Sequence, residues 1–466
     1  MDPNVCIVVL DAVRARNLSC YGHSRETTPI IDKLCRDSVQ FMRAVSPAGV
    51  TLDSTASLFT GLYPGNHRTG QHTQIVADGP RLAEIFREHS YRTGAFPTNP
   101  FISPGFGFED GFDVFRSSEH RFKKGMDIKK FFDNHKHLPA YRIYLEFLLN
   151  SLDSNFPYHV GNALQFRFDM FTRNDNGGAD ATRKAVEFVE SSNKPWFQYV
   201  HLNEAHMKNV DHLYSVPPNY LYKFTTRSEV NDTRVRRNLT GNYPEDAQSV
   251  HERLYDGAIS YLDDLVGRLI DNIKAAGEWD ETLFILTADH GELLGDRDRM
   301  GHGELAEPGI RVPLLIKPHA EMAIPDEDVE QRVSTLGVYT MLAELLGEDR
   351  AIAHADVKSV FEDQEPVLVQ DYSSSWDWSS YQSDVEGKHA LYLDGLKLIR
   401  RGGEVELYRT ASDWQEFEPV SPDSTAFESM DKTLHDQLVG LGNDNDTTEV
   451  EIDGETATQL EELGYL

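Results

Sequence analysis

Basic residues are scarce in this chain. Its 466 residues include 45 lysines and arginines against 76 aspartates and glutamates, so the formal net charge at pH 7 is −31. Such a surface repels nucleic acid unless a large basic patch offsets it, so nucleic acid is not an expected partner. The acidic residues are spread along the whole sequence rather than gathered in a tail. This pattern is typical of a halophile's cytosolic protein, and an ordinary acidic protein is the alternative.

Long apolar runs, export signals and paired cysteines are also lacking. No stretch of about 18 apolar residues occurs, so no membrane span is expected. The N-terminal sequence MDPNVCIVVL has neither the basic region nor the long apolar segment of a signal peptide. We therefore expect a cytoplasmic protein, either free or peripheral on the inner face of the membrane. The three cysteines, Cys6, Cys20 and Cys35, show no CxxC spacing and are expected to be reduced and structural.

Apolar runs and amphipathic segments alternate along the chain. The runs at 5–10, 194–201 and 282–288 predict buried parallel strands. The spacing of apolar residues between them predicts helices at 28–39, 80–90, 178–192 and 251–277. This order predicts an α/β fold in which a mainly parallel sheet is covered by helices on both faces. Ligands of such sheets bind beyond the carboxyl ends of the strands.

Two regions depart from this alternation. Residues 101–175 are aromatic-rich and irregular, whereas 387–408 alternate in the manner of a β-hairpin. We therefore predict a large catalytic domain over 1–365, with 101–175 as an insertion that acts as a lid or recognition region. A small antiparallel subdomain is predicted over 366–466.

Candidate metal ligands lie at the predicted strand ends. Asp289 and His290 are adjacent there, and His302 follows a dozen residues later. A carboxylate and an imidazole so placed can share a divalent cation, although a turn with a hydrogen-bonded histidine is the alternative. Asp11 supplies a second carboxylate at the same edge of the sheet. The stretch SPAGVTLDSTASLFTGLYP at 46–64 offers several hydroxyls, one of which a cation would activate.

Several sequence blocks together resemble one known family. They are IVVLDAVRARNLSCYGHSRETTPIIDKL, TLDSTASLFTGLYPGNHRTG, HLNEAH, LTADHGELLGDRDRMGHGELAEPGIRVPLLI, LYLDGLKLIRRGGEVELY and LEELGYL. In this order they resemble sulfatase-type members of the alkaline phosphatase superfamily. Only 101–175 and 412–450 lack a match. The resemblance implies an alkaline-phosphatase-like, sulfatase fold.

The resemblance also implies a nucleophile and a metal site. Sulfatases carry a cysteine or serine, converted to formylglycine, at the position of Thr51, and threonine cannot be converted. Threonine at this position instead resembles phosphodiesterase, phosphonoacetate hydrolase and lipoteichoic-acid-synthase-like relatives. That resemblance implies Thr51 as the nucleophile and Asp11, Thr51, Asp289 and His290 as ligands of one metal ion.

Three departures from the family pattern refine this interpretation. Asp53 and Thr55 replace the proline and arginine of the sulfatase block, which weakens the case for a sulfate ester. Ala12 replaces the second acid of the sulfatase Asp-Asp pair. Leu202 stands where two-metal relatives have an aspartate, so one ion is expected. Mn²⁺ or Zn²⁺ is favoured over Ca²⁺ or Mg²⁺ because an imidazole is among the ligands.

Further residues receive expected roles from the same resemblance. His206 and His302 match positions that face the substrate, where they would protonate the leaving oxygen or bind nonbridging oxygens, and Thr55 is a further expected substrate contact. Ser54 is expected to cap the following helix. The metal ligands are expected to be oriented by His201, Glu292 and Glu304. Arg311 is expected to hold the strand that follows it.

Three functions remain open on this evidence. The first is a metal-dependent hydrolase or transferase of phosphate monoesters or diesters, the second a sulfuric ester hydrolase, and the third a non-catalytic binding protein. The substrate is expected to be an anionic ester, linked to a glycan or a lipid. Residues 120–137 form a lysine-rich island before an amphipathic segment at 138–150. This island predicts either a solvated cap over the site or peripheral membrane contact.

Overall fold

The computed structural model describes most of the chain. The described residues are 2–69, 75, 79–116, 175–207, 214–230, 245–325, 327–372, 387–410, 419–421 and 425–439, with scattered positions between 142 and 160. The lysine-rich island at 120–137 lies outside the described residues, as do parts of the predicted insertion and of the predicted C-terminal subdomain. The domain boundaries and the role of the insertion therefore stay predictions.

An eight-stranded sheet forms the centre of the fold, in the order β10-β2-β9-β6-β1-β5-β3-β4. Neighbouring strands are parallel, except that β9 runs antiparallel to both β2 and β6. The strands are β1 (Asn4–Leu10), β2 (Val39–Val45), β3 (Arg92–Pro97), β4 (Val114–Phe115), β5 (Trp196–Leu202), β6 (Thr282–Thr287), β9 (Leu314–Lys317) and β10 (Val329–Ser334). Two short strands, β7 (Leu293–Leu294) and β8 (Met300–Gly301), pair separately.

Helices cover both faces of this sheet, as the alternation of segments predicted. One face packs against α1 (Ile31–Arg36), α5 (Gly178–Glu190) and the long α8 (Glu245–Ala275). The other packs against α2 (Thr51–Thr60), α4 (Leu82–Glu88), α10 (Gly337–Leu346) and α11 (Asp349–His354). The remaining described helices are α3 (Pro64–His67), α6 (Pro218–Phe224), α7 (Arg227–Val230) and α9 (Glu307–Ile310). Within the described residues, no helix is long and apolar enough to cross a membrane.

A second, four-stranded antiparallel sheet follows near the C-terminus. It consists of β11 (Val367–Asp371), β12 (Lys388–Leu393), β13 (Leu396–Arg401) and β14 (Glu404–Arg409), in that order. One face buries leucines against α12 (Thr425–Val439). The other packs on the main domain near Val45, Leu305 and Ile310. The sequence pattern predicted a hairpin here, and the hairpin belongs to this larger sheet.

A buried ion cluster joins the two sheets. The carboxylate of Glu307 lies 3.5 Å from Nη1 of Arg332 in β10 and 3.5 Å from Nζ of Lys397 in β13. It also accepts a hydrogen bond from the hydroxyl of Tyr392 and lies 3.8 Å from Nη1 of Arg311. Burial opposes its ionisation, but the surrounding cations outweigh burial and lower the pKa of Glu307 from 4.5 to about 2. Glu307 is therefore ionised and holds the cations of both sheets together.

Replacing Glu307 with glutamine is expected to destabilise the fold by about 3 to 5 kcal/mol at pH 7, because it leaves buried cations without their counter-charge. The depressed pKa means that ionised Glu307 stabilises the fold fully above pH 4.5, and that this contribution falls as the pH drops towards 2. Urea unfolding of both proteins at pH 7 and pH 3.5 tests this: the difference should shrink by about 1.4 kcal/mol at the lower pH. The surface variant Glu88→Gln is the control, and an equal loss in both variants would contradict the prediction.

Candidate active site

Residues at the carboxyl ends of adjacent strands form rows across one face of the main sheet. One row contains His201 of β5 together with its neighbours in the strand register, Val9, Thr287 and Pro97. Because side chains alternate between faces, positions two residues further on return to the same face. These positions are Asp11, Asp289 and Asn99, just beyond the strand ends. Donor atoms of Asp11, His201 and Asp289 lie within 4.8 Å of one another.

Thr51 is the first residue of α2 and is buried. Its Oγ1 lies 3.2 Å from Nε2 of His290 and accepts a hydrogen bond from Nδ2 of Asn99 at 3.4 Å. The helix begins three residues before the expected cap Ser54, whose hydroxyl donates to the carbonyl of Val50 instead. The backbone N–H groups of a first helical turn favour anions. The Thr51 hydroxyl therefore lies where an anionic group is stabilised.

His290 presents a defined nitrogen to the site. Its Nδ1 donates a hydrogen bond to the carbonyl of Gly291 at 2.7 Å, because a carbonyl can only accept. In the neutral ring, Nε2 then carries the lone pair, and burial lowers the pKa of His290, which favours the neutral form. Nε2 lies 3.7 Å from Oδ1 of Asp11 and 3.7 Å from Oδ2 of Asp289. The lone pair thus faces both carboxylates and the Thr51 hydroxyl.

The two carboxylates differ in their surroundings. Oδ1 of Asp289 accepts hydrogen bonds from the backbone N–H groups of Ala12 and His290, at 3.1 and 2.8 Å. Burial opposes ionisation, but the neighbouring imidazoles of His290 and His201 outweigh it and lower the pKa of Asp289. Burial and the charge of Asp289 raise the pKa of Asp11. Oδ2 of Asp11 accepts from Asn99 at 2.7 Å, whereas its buried Oδ1 has no hydrogen-bond partner among the described residues.

These residues fit a divalent cation. Asp11, Asp289 and His290 turn carboxylate oxygens and an imidazole lone pair towards the Thr51 hydroxyl, and the unpartnered Oδ1 of Asp11 is the kind of buried atom that a cation satisfies. Donors around one ion with bonds of about 2.1 Å are separated by roughly 3.4 Å in tetrahedral geometry. The separations of 3.2 to 3.7 Å here are of that size.

A second group of imidazoles lies beside this cluster. The ring of His302 stacks on His290 at 4.7 Å between centroids, and His206 lies 4.8 Å from His302. Burial, together with the other two histidines, lowers the pKa of His206. Burial also opposes protonation of His302, but Glu292 outweighs it and raises the pKa of His302. The carboxylate of Glu292 is fully buried, 3.6 Å from Nδ1 of His302.

Comparison with known proteins shows the family to which this chain belongs. The sequence pattern described as Sulfatase matches residues 3–348. The chain belongs to the sulfatase family. It is 24% identical over 412 residues to the multifunctional alkaline phosphatase superfamily protein PehA of Trinickia caryophylli, covering 80% of this chain and 78% of that protein. It is 24% identical over 325 residues to an ulvan-active sulfatase of Formosa agariphila, covering 68% of this chain and 56% of that protein.

Solved structures show the same fold. The phosphonate monoester hydrolase of Agrobacterium radiobacter superposes with a TM-score of 0.68 at 20% identity, over 94% of this chain and 95% of that one. The expected alkaline-phosphatase-like, sulfatase fold is thus confirmed. The chain is a hydrolase of this superfamily, and sulfatase-family enzymes use a divalent metal ion. The cluster of Asp11, His201 and Asp289 is able to hold such an ion.

Three other residues that the sequence analysis singled out are Thr55, Glu304 and Arg311. Thr55, one turn after Thr51, is buried and lines a small internal cavity with Tyr199 and Asp289. Glu304 forms ion pairs with Arg299, Lys388 and Arg401, and its expected orienting role stays a prediction. Arg311 donates to the carbonyl of Met42 in β2, the neighbour of β9. The expected substrate contact of Thr55 stays a prediction.

Asn99 is a site residue that the sequence analysis missed. Its Oδ1 accepts from the backbone N–H of Phe101 at 3.0 Å, which fixes the amide orientation. Its Nδ2 therefore donates to both Asp11 and Thr51. The available signal was its position just beyond β3, which was not predicted as a strand. Asn99 aligns the nucleophile candidate with a metal-ligand candidate of this sulfatase-family site.

Asn99→Ala is expected to weaken divalent metal binding about 10- to 100-fold, because Asp11 loses the donor that orients it. Turnover should fall as well, since the Thr51 oxygen loses a hydrogen bond. Competition with a chromophoric chelator measures the affinity. Asn66→Ala is the control, because the Asn66 side chain donates a hydrogen bond to the carboxylate of Asp356. Metal affinity equal to the parent's would show that Asn99 does not position Asp11.

Proposed function

We propose that this chain is a metal-dependent hydrolase or transferase that acts on phosphate esters, diesters above all, with Thr51 as its nucleophile. The observation that carries the proposal is the position of Thr51 Oγ1. This unmodified hydroxyl lies at the start of a helix, 3.2 Å from Nε2 of His290 and within hydrogen-bond distance of Asn99. Asp11, Thr51, Asp289 and His290 hold the cation, which supplies positive charge next to the reacting oxygens.

The chain's own groups provide the first step. Thr51 Oγ attacks phosphorus in line as the bond to the leaving oxygen breaks, which forms a threonine phosphoester and an alcohol. The hydroxyl proton of Thr51 passes to solvent water, and Nδ2 of Asn99 donates to the attacking oxygen and stabilises the charge that remains on it. The free N–H groups at the start of α2 favour the nonbridging oxygens. Water or an acceptor alcohol then cleaves the phosphoester and regenerates Thr51.

His302 and His206 serve the leaving oxygen and the nonbridging oxygens. Both rings adjoin His290, the residue whose Nε2 lies 3.2 Å from Thr51 Oγ1. His302 is partly exposed, with Glu292 next to Nδ1, and it donates a proton to the departing oxygen. His206 is fully buried and binds a nonbridging oxygen. Thr55 is retained as a further substrate contact.

The candidate ester substrates differ in their charge. Asp53 lies on the first turn of α2, two residues after Thr51, and no hydrogen bond to its carboxylate is found among the described residues. Burial and the charge of Asp371 raise the pKa of Asp53. The raised pKa favours the neutral carboxyl, so Asp53 does not by itself distinguish a phosphate monoester dianion from a diester monoanion. A sulfate ester is also a monoanion, and sulfatase relatives make it the second candidate.

The C-terminal sheet takes part in this site. Nζ of Lys388 in β12 donates to the carbonyl of Gly303 at 2.8 Å, directly after His302. In this proposal 1–365 carry the site and 101–175 act as lid or recognition region, while 366–466 form the small subdomain whose Lys388 contacts the turn after His302. The ester is linked to a glycan or a lipid; one relative is named for ulvan. The site operates in the cytoplasm, with membrane contact through 120–150.

Initial rates on bis-p-nitrophenyl phosphate, p-nitrophenyl phosphate and p-nitrophenyl sulfate test the function, in high salt with Mn²⁺ or Zn²⁺. The diester rate should dominate, and Thr51→Ala should lower it at least about 10³-fold because the covalent route is lost. Thr51→Ser keeps the hydroxyl and should retain part of the rate. Thr60→Ala, at the far end of α2, is the matched control and should keep the parent rate.

Three outcomes would overturn the proposal. A dominant sulfate rate that also depends on Thr51 would make the chain a sulfuric ester hydrolase. A diester rate unchanged in Thr51→Ala would assign the attack to water. Absence of any rate together with absence of bound metal would support the non-catalytic alternative.

A further inference from the structure

We infer that His201 is a direct ligand of the cation, so that the site contains two imidazoles, from His201 and His290, besides the carboxylates of Asp11 and Asp289. This inference rests on the metal site of the proposed function and adds a ligand to it. The sequence analysis gave His201 only an orienting role. A second imidazole makes the site selective for Zn²⁺ or Mn²⁺ over Ca²⁺.

The strand register places His201 directly below the two carboxylates. His201 lies in the row before Asp11 and Asp289 on the same face of the sheet, and it is fully buried. Its Nε2 lies 3.4 Å from Oδ2 of Asp289 and 3.8 Å from Oδ2 of Asp11. The imidazole therefore lies beneath the two carboxylates, with Nε2 directed at both of them.

These separations suit a shared ion better than a hydrogen bond. A charge-assisted N–H···O bond is typically about 2.7 to 2.9 Å long, whereas donors around one ion are roughly 3.4 Å apart. His290, an expected ligand, lies at 3.7 Å from the same Oδ2 of Asp289. The two imidazoles thus stand at similar distances from one carboxylate oxygen. A shared ion at this oxygen accounts for both distances.

The loop after β1 leaves a ligand position to be filled. Asp11 is followed by Ala12, which has no side-chain donor, and the backbone N–H of Ala12 occupies Oδ1 of Asp289. Within the described part of this cluster, the oxygen donors are then Asp11, Oδ2 of Asp289 and Thr51. Ca²⁺ takes six to eight oxygen ligands, so three protein oxygens suit it poorly. His201 completes the set with nitrogen.

X-ray absorption of the Zn²⁺-loaded protein counts the imidazoles directly. The parent should show two, and His201→Gln should show one, with Zn²⁺ affinity lower by at least about 100-fold. His206→Gln is the matched control: it removes a buried imidazole of the adjacent group, and the count should stay at two. His201→Asp should raise the affinity for Ca²⁺ relative to Zn²⁺, because it replaces nitrogen with oxygen.

The outcomes separate this inference from the proposed function. A parent protein that binds Zn²⁺ through one imidazole would overturn the role of His201 and leave the metal-dependent function standing. A count that drops in His206→Gln rather than in His201→Gln would also overturn it. A parent that binds no divalent metal would overturn the proposed function itself. The parent spectrum decides the count even if His201→Gln fails to fold, which circular dichroism would reveal.

Discussion

The site is organised around two carboxylates that the sheet forces together. Asp11 and Asp289 follow adjacent parallel strands on the same face, and both are buried. Two unit charges within 4.8 Å repel by about 3 to 4 kcal/mol at an effective dielectric constant of 20. The surroundings offset this repulsion with donors and imidazoles: backbone N–H groups and His201 face Asp289, and Asn99 faces Asp11. Nearly every contact in the centre compensates this one pair.

Much of the fold could be predicted because its central strands are mostly apolar. The strands at 4–10, 196–202 and 282–287 match the predicted ones within two residues, and so does the helix at 178–190. The strand at 92–97 was missed because it contains Gly94 and Pro97, which break an apolar pattern. Glycine is needed there, since a Cβ would lie 2.8 Å from the Phe188 ring. A packing requirement thus concealed a strand from sequence reasoning.

Some site residues could likewise be predicted from the sequence, and others could not. Thr51, Asp289 and His290 stand in recognisable blocks, so their meeting at one edge was expected from the topology. Asn99 was not expected, because the strand before it was not. His201 was placed at the strand end, but whether an imidazole orients a ligand or is itself a ligand depends on a distance of one or two ångströms. No pattern of residue types along a chain encodes that distance.

The centre of the site and its rim are built differently. His201 belongs to a central strand, and Asp11 and Asp289 follow central strands closely. These strands are packed on both faces, which fixes the separations of the three residues. His302 instead lies between two glycines with left-handed backbones, Gly301 and Gly303. This turn is held from outside, where Lys388 of the C-terminal sheet donates to the carbonyl of Gly303. The carboxylates and His302 are therefore held in place by different parts of the fold.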